Sequence, residues 1–512
     1  MKINKKIENI IIFGGGTSGW LTASYLTANL RFPIKITLIE DASAGPIGVG
    51  EGTQPLTAKF LYACGLDPRQ WMQPSNASFK YGVELTGWNE DPYFVDNDSV
   101  NNYMPTTGIF TSDYFIGKPY KEFAKWYPAY RLAKANKSPK MTELLDHNYN
   151  QGLDGYGAVH FGAYDIITAL KDLLGDKIEY VDTKISSAET DENGITKLID
   201  DKGKEYSADL YLDCSGFKSQ LLEKTLGSEF VDYKKEGWLP NDSAVAIPTQ
   251  YTNPEEECHP YTKATTMTCG WRWTIPTYAR IGNGYVYDSD FISPEDAEKE
   301  LREAIGEFEA PAKHLQMKCG THKDIALKNV CGIGLAGGFV EPLEATGITF
   351  TTGIVNSLCD LINIFGGNWN KQVTDNLNQG WYEMCVEILT FVWAHYYFSQ
   401  KSDTPYWKKI REKTPTELPS DAQFMLNQYF PELKRFLFFS KQSMFSSQQW
   451  FSMLHAGGAY KTFEGTFGHS GKVEEYIEDF LKQQTDRVDN VIKKFPNQYT
   501  YLKDWYEGWT VD

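Results

Sequence analysis

The sequence predicts an α/β protein built on a doubly wound, dinucleotide-binding sheet, with a second β-sheet and a largely helical C-terminal part. Three observations carry that prediction. Ile10 to Phe13 reads as a buried parallel strand and runs straight into Gly14-Gly15-Gly16-Thr17-Ser18-Gly19. Trp20 to Asn29 follows at helical spacing. Lys35 to Glu40 is a second strand ending in an acid, 21 residues after Gly19. That is the offset at which a carboxylate reaches a ribose hydroxyl, while the glycines let the backbone and the helix N-terminus approach a pyrophosphate.

The remaining elements follow in order. Residues 90–155, dense in Asn, Asp, Tyr and Pro, read as an irregular insertion and a candidate mobile lid. Ala163 to Leu174 reads as a helix and Lys177 to Asp182 as a strand. Asp191 to Gly194 reads as a hairpin turn, and Ala208 to Asp213 as a strand closed by Cys214-Ser215-Gly216. Several β-like runs within 242–290, among them Gly270 to Ile275 and Gly284 to Tyr287, predict a second sheet over the cofactor. Val330 to Leu335 returns to the first sheet, a long helix starts at Thr346, and 370–512 reads as mainly helical.

Composition excludes several classes. The 512 residues are 41% hydrophobic, and 50 Lys+Arg against 67 Asp+Glu leave a formal charge of −17, which argues against nucleic acid as a partner. No apolar run approaches the ~20 residues of a membrane helix. The 8 Cys contain no CxxC pair and the 8 His no HxxxH or HExxH, so no metal site is expected. The expectation is a reduced, cytoplasmic, soluble enzyme, with homo-oligomer formation left open. Aromatic residues, at 14%, suit a core and also suit a protein that handles flat molecules.

Four further stretches carry chemistry. Gly48 to Pro55, with glycine at every second position from Gly48 to Gly52, reads as a permissive strap, or else as a plain surface loop. Lys80 interrupts the strand-like Ser78-Phe79-Lys80-Tyr81; such a lysine is ordinarily solvated. Trp271 and Trp273 in Gly270 to Pro276 would share one strand face, as core or as a flat wall beside a bound ring. Gly337 to Ile348 ends at a helix N-terminus whose free N–H groups attract an anion; Glu344 there is otherwise a helix-start acid.

Taken together, these motifs resemble the flavin-dependent halogenases, commonly called tryptophan halogenases. The matches are the glycine fingerprint at Gly14–Gly19, the strap Gly48–Pro55, Lys80, the WxWxIP run from Trp271 to Pro276, and Pro342 to Ile348. The resemblance implies a flavin-monooxygenase-like FAD module over 1–350 and a helical substrate-covering module over 351–512. It implies that FADH2 from a separate flavin reductase, with O2, converts chloride, bromide or iodide to hypohalous acid. The acid then crosses a tunnel to a small aromatic substrate. By motif, Gly14, Gly16, Thr17, Ser18 and Gly19 would hold the pyrophosphate and Glu40 the ribose. Gly50 and Glu51 would lie beside the flavin, Ile185 near the adenine, and Leu335 and Ile348 against the isoalloxazine. The backbone of Thr346 and Gly347 would bind halide, and Trp271, Trp273 and Pro276 would wall substrate from flavin. Lys80 and Glu344 would be catalytic.

Physical chemistry agrees with those roles. A lysine in an apolar tunnel has its ammonium form disfavoured and can steer or carry an electrophilic halogen. A carboxylate stabilises a cationic arene intermediate and takes its proton. The competing reading is a flavin-dependent aromatic hydroxylase. It predicts an Asp where Ile333-Gly334-Leu335-Ala336 has none, and a substrate seated where the two tryptophans would stand. A non-catalytic flavin-binding regulator would have lost Lys80 or Glu344; both are present. No second nucleotide fingerprint is visible, consistent with a separate reductase. Three departures from the family pattern stand out. Lys434 to Trp450 lacks the acid that clamps free tryptophan, Ala345 stands where many relatives have Ser, and Gly162 stands where many have Asp. The first favours an indole- or phenol-like substrate; Phe436, Phe438, Phe439, Phe445 and Trp450 read as helix core, or else as the lining of an open pocket for such a ring. A loosely built halide site favours bromide or iodide, which are more easily oxidised than chloride.

Overall fold

A computed structural model describes residues 4–44, 50–97, 114–116, 118–138, 158–429, 444–459 and 471–508. The N-terminal apolar run becomes the strand Asn9–Phe13, central in a six-stranded sheet. Its neighbours are Leu210–Asp213 and Lys35–Glu40; Val330–Gly332 and Glu179–Asp182 lie outside them, all parallel to it. Ala326–Leu327 adds an antiparallel edge. Ile10, Ile12, Leu38, Leu210 and Leu212 are buried on one face and Ile11, Ile39 and Tyr211 on the other, as a parallel sheet covered on both faces requires. The helix Thr17–Asn29 packs against the helices Ile166–Leu174 and Gly347–Ile364. This is the mixed α/β, flavin-monooxygenase-like architecture expected.

The second sheet has seven strands, in the order 313–316, 243–249, 281–287, 270–276, 262–267, 82–86, 93–96. It is wider than the 242–290 span because Gly82–Thr86 joins it in parallel beside Thr262–Met267. A third, three-stranded sheet sets Gly50–Gly52 and Ser78–Lys80 on either side of Ala158–Gly162. The strap is therefore strand-paired at its end and is no free surface loop; 45–49 lie outside the described residues.

Other expectations shift at their ends. The helix begins at Ile166, because Gly162 to Asp165 closes a turn through Asp165 N–H to Gly162 O at 2.9 Å. Strand pairing ends at Gly332, where the chain enters a 3-10 turn over Gly334–Ala336. The hairpin turn holds: Asp191 Oδ1 accepts from the N–H of Asn193 and Gly194 at 2.7 and 3.1 Å. Most of the expected lid lies outside the described residues. Two parts of it, Tyr120–Trp126 and Pro128–Lys134, are helices rather than irregular chain. All eight cysteines are free and buried. No described helix is long and apolar enough to cross a membrane.

Candidate active site

At the nucleotide end, geometry explains the glycines. Gly14 has φ +117°, and a Cβ there would come within 2.4 Å of Cys214 O. A Cβ at Gly19 would stand 1.9 Å from Gly14 O, so helix and strand touch only because both positions lack side chains. Gly16, by contrast, faces open space, and as N-cap it leaves the first helical turn without a side-chain acceptor. Open space in front of uncapped N–H groups is the cradle a pyrophosphate needs. The side chains of Thr17 and Ser18 are engaged elsewhere, with Ala163 O at 2.9 Å and Thr351 Oγ1 at 2.8 Å. What these two residues can offer an anion is therefore backbone.

Glu40 lies over Gly15, where a Cβ would come within 1.7 Å of its Oε2. Its other oxygen accepts from the Tyr180 hydroxyl at 2.7 Å and Lys171 Nζ at 3.4 Å. Thr183 N–H bonds Glu40 O at 2.8 Å, which brings Ile185 to the same end of the sheet. A Cβ at Gly334 would meet Ser18 Oγ at 2.4 Å and Thr351 Oγ1 at 2.7 Å. Leu335 and Ile348 are thereby held near the fingerprint helix. The open cradle at Gly16, with the Glu40 carboxylate at the neighbouring strand end, suits a dinucleotide such as FAD.

Beyond the nucleotide end, Lys80 is 1% exposed. Its Nζ donates to Thr53 O at 2.9 Å. Burial pushes the ammonium down to about 8, against a smaller opposing pull from Glu344. Thr53 is fixed by its own N–H on Val159 O at 2.9 Å, and the next residue, Gln54, donates from Nε2 to Glu344 O at 2.7 Å. Two consecutive strap residues thus hold the lysine on one side and the glutamate's backbone on the other. The side chain of Glu51 lies outside the description; the backbones of Gly50 and Glu51 pair with Gly162 and Phe161.

Glu344 closes a 3-10 turn over Pro342–Glu344 and is 1% exposed. Ala345 then takes a left-handed conformation, φ 56°, which swings the chain into the helix Gly347–Ile364. A Cβ at Gly52 would come within 3.3 Å of Ala345 Cβ, so the strap lies flat against this turn. Thr346 is the N-cap but makes no side-chain cap bond. The Thr346 and Thr349 hydroxyls are both buried without a partner among the described residues. Uncapped N–H groups beside two orphaned hydroxyls suit a small anion.

The two tryptophans expected to form a wall, Trp271 and Trp273, are buried, with ring centroids 6.4 Å apart at 62°. The Trp273 ring occupies the space a side chain at Gly284 would fill. Pro276 O accepts from Ser78 Oγ at 2.5 Å and lies 3.1 Å from His160 Nδ1, tying the wall to the lysine strand.

Sequence reasoning missed two residues. His395, at the end of the long helix Lys371–Tyr397, stands with Nε2 3.0 Å from Glu344 Oε1, and its Nδ1 bonds the Tyr93 hydroxyl at 2.7 Å. Burial raises the Tyr93 phenol well above its ordinary value, with Glu344 a second cause. The only signal was a histidine within an aromatic run, Phe391 to Tyr397, which reads as core. Of the two readings left open for the C-terminal aromatics, core holds where the chain is described. Phe445 and Trp450 do not line an open pocket; both are buried against Phe391, at centroid distances of 3.9 and 4.7 Å. Phe436, Phe438 and Phe439 lie outside the described residues.

An open nucleotide cradle leading to a buried lysine and carboxylate is the layout of a flavin-type oxidoreductase. A family model described as tryptophan halogenase matches residues 9–465. Tryptophan 6-halogenase SttH of Streptomyces toxytricini is 32% identical over 430 residues, 79% of this chain and 81% of that protein. Tryptophan 7-halogenase RebH of Lentzea aerocolonigenes is 27% identical over 544 residues, 97% of this chain and 98% of that protein. The solved SttH structure superposes with a TM-score of 0.83 at 28% identity, covering 97% of this chain and 99% of that one. The chain belongs to the tryptophan-halogenase family of flavin-dependent halogenases. It is an oxidoreductase of the kind that uses FADH2, O2 and halide to halogenate an aromatic substrate.

Proposed function

We propose that this halogenase acts on an electron-rich indole- or phenol-like ring rather than on free tryptophan, with bromide or iodide preferred to chloride, and draws FADH2 from a separate reductase. The observation that supports the chemistry best is the buried pair: Lys80 Nζ held on Thr53 O, with Glu344 anchored through Gln54 on the same strap. Reduced FAD with O2 supplies the oxidising equivalent that turns halide into hypohalous acid. Gly14, Gly16, Thr17, Ser18 and Gly19 hold the pyrophosphate through backbone, Glu40 the ribose, and Leu335 and Ile348 the ring system, with Gly50, Glu51 and Ile185 alongside. Thr346 and Gly347 take the halide on helix-start N–H groups.

Lys80 then works as a donor. Its ammonium bonds the oxygen of hypohalous acid, turns the halogen toward the arene carbon, and gives its proton as the oxygen leaves as water. The Glu344 carboxylate faces the cationic arene and accepts the ring proton, which restores aromaticity. Trp271, Trp273 and Pro276 keep the substrate off the flavin. The division into a 1–350 FAD module and a 351–512 covering module belongs to this reading.

The substrate assignment rests on Lys434 to Trp450, which has no acid for an amino-acid head group. A charged head group left unpaired in a buried site costs ~1–3 kcal/mol or more. The test is a panel of indoles, phenols and free tryptophan with each halide, FAD and a partner reductase, read by mass spectrometry. Indole- or phenol-type products with bromide are expected. Free tryptophan as the best substrate, saturating tightly, overturns the substrate assignment, and rapid NADPH oxidation without a reductase overturns the partner.

A further inference from the structure

We infer that Glu341 is a positioning residue for halide: the charge of its carboxyl governs how tightly the Pro342–Gly347 turn takes up an anion. This rests on the halide reading of Thr346 and Gly347 given above.

Glu341 opens the turn and is fully buried. Three donors from three separate parts of the chain converge on one of its oxygens. Tyr396 Oη donates to Oε2 at 2.5 Å, Asn241 Nδ2 at 2.9 Å, and Trp271 Nε1 at 3.3 Å. Tyr406 Oη supports Asn241 by donating to its Oδ1 at 3.0 Å. The other oxygen, Oε1, is buried and has no partner among the described residues. A carboxylate with one oxygen fully solvated by protein and the other bare has an open place for a proton. His395 and Tyr396 are consecutive on the long helix, so one helix end grips both glutamates of the turn, Glu344 and Glu341.

The mechanism does not use Glu341, one of whose oxygens is taken up by this network. Its charge nevertheless lies in the same turn as the halide donors. Glu341 precedes and Thr346 follows the same short turn, and a unit charge within ~10 Å in protein interior alters an anion's affinity by ~10-fold. Burial pushes the carboxyl up to about 7, with Tyr396, Asn241 and Trp271 opposing the rise. Below that value the group is neutral and the turn accepts halide; above it the negative charge repels halide.

Other titratable groups face both ends of the turn. Around Glu341, the phenols of Tyr396 and Tyr406 and the Cys319 thiol are all pushed well above their ordinary values and stay neutral. Beyond Cys319, Asp242, Asp232 and Lys234 bear on that thiol, and Asp288 bears on Tyr406. Lys234 is paired at 2.6 Å with both Asp242 and Asp288. At the halide end stand Glu344, His395, Tyr93 and Lys80. Loss of the Lys80 ammonium near 8 weakens halide in a later window.

The experiment measures chloride affinity by 35Cl NMR line broadening on the protein without turnover, from pH 6 to 8.5. Wild type should lose ~3- to 10-fold in affinity centred near pH 7. Glu341→Gln keeps an oxygen for all three donors and removes the charge, so its affinity should stay flat to about pH 7.5. Tyr396→Phe removes one bond to the anion and should move the wild-type drop to higher pH. It decides the matter if the glutamine variant does not fold. The same pH dependence in wild type and both variants, or no chloride binding at all, overturns the inference. The halogenase reading fails separately, on the substrate panel, if no halogenated arene forms.

Discussion

His395 Nε2 lies 3.0 Å from Glu344 Oε1 but off the line a hydrogen bond requires, while Tyr93 Oη meets the opposite ring nitrogen at 2.7 Å. In the tautomer in which the Tyr93 hydroxyl donates to Nδ1, the imidazole carries its proton on Nε2, facing the carboxylate. In the proposed mechanism this contact straightens into a hydrogen bond to Glu344 when substrate arrives. His395→Leu is expected to lower halogenation ~10-fold or more with flavin reoxidation intact, and His395→Gln, which keeps a donor, to recover part of it. Product formed per flavin oxidised is the measurement; equal losses in both variants would make His395 a packing residue.

Glu344→Gln keeps the shape and the backbone bond from Gln54 but removes the charge. Halogenation should fall ~10²-fold, about 2.7 kcal/mol of transition-state stabilisation. Single-turnover product analysis reads this directly. An unchanged rate would leave Glu344 as a helix-start acid.

Lys80→Met should abolish halogenation while flavin reoxidation continues, because the lysine acts after the flavin has reacted. The same variant should melt higher than wild type at pH 7. Burial lowers the folded-state value to about 8, so at neutral pH the fold carries a buried ammonium that the unfolded chain would rather solvate. Between about 8 and the ordinary lysine value the unfolded chain binds more protons, so wild-type stability should rise with pH across that window, and the variant's should lack that rise. Thermal melts from pH 7 to 10 check the sign.

Gly16→Val tests the cradle without disturbing the core. The position faces open space and is extended, so the side chain fits the apoprotein, with Tm unchanged within ~2 °C. FAD must approach the same space, and its Kd should rise ~10-fold or more. Fluorescence titration of FAD decides it; unchanged affinity would put the pyrophosphate elsewhere.

The fingerprint, the parallel sheet and the helix after Thr346 were legible because they follow from local pattern: an apolar run, glycines at fixed offsets, a carboxylate at the next strand end. Lys80 and Glu344 were legible as motif members, but their burial was not, since it depends on sheets formed by residues far apart in sequence. Gly82–Thr86 pairs with Thr262–Met267 across a separation no periodicity reveals. His395 and Glu341 hid for the same reason: each acts through a partner brought over by tertiary packing. Gly162 is a smaller case. A side chain there would overlap Asp165 Oδ2 at 2.1 Å, so a carboxylate three residues on already fills the space that looked vacated.

The sealed cysteines bear on how such an enzyme survives its own chemistry. Hypohalous acid attacks thiolate sulfur readily, and a stray molecule leaving the site would meet whatever sulfur the surface displays. All eight thiols are buried, and burial pushes Cys258, Cys269 and Cys359 up to about 11. The native surface therefore offers no thiolate as a sacrificial target, and a single cysteine placed on the outside would be a unique handle for attaching a dye or a support.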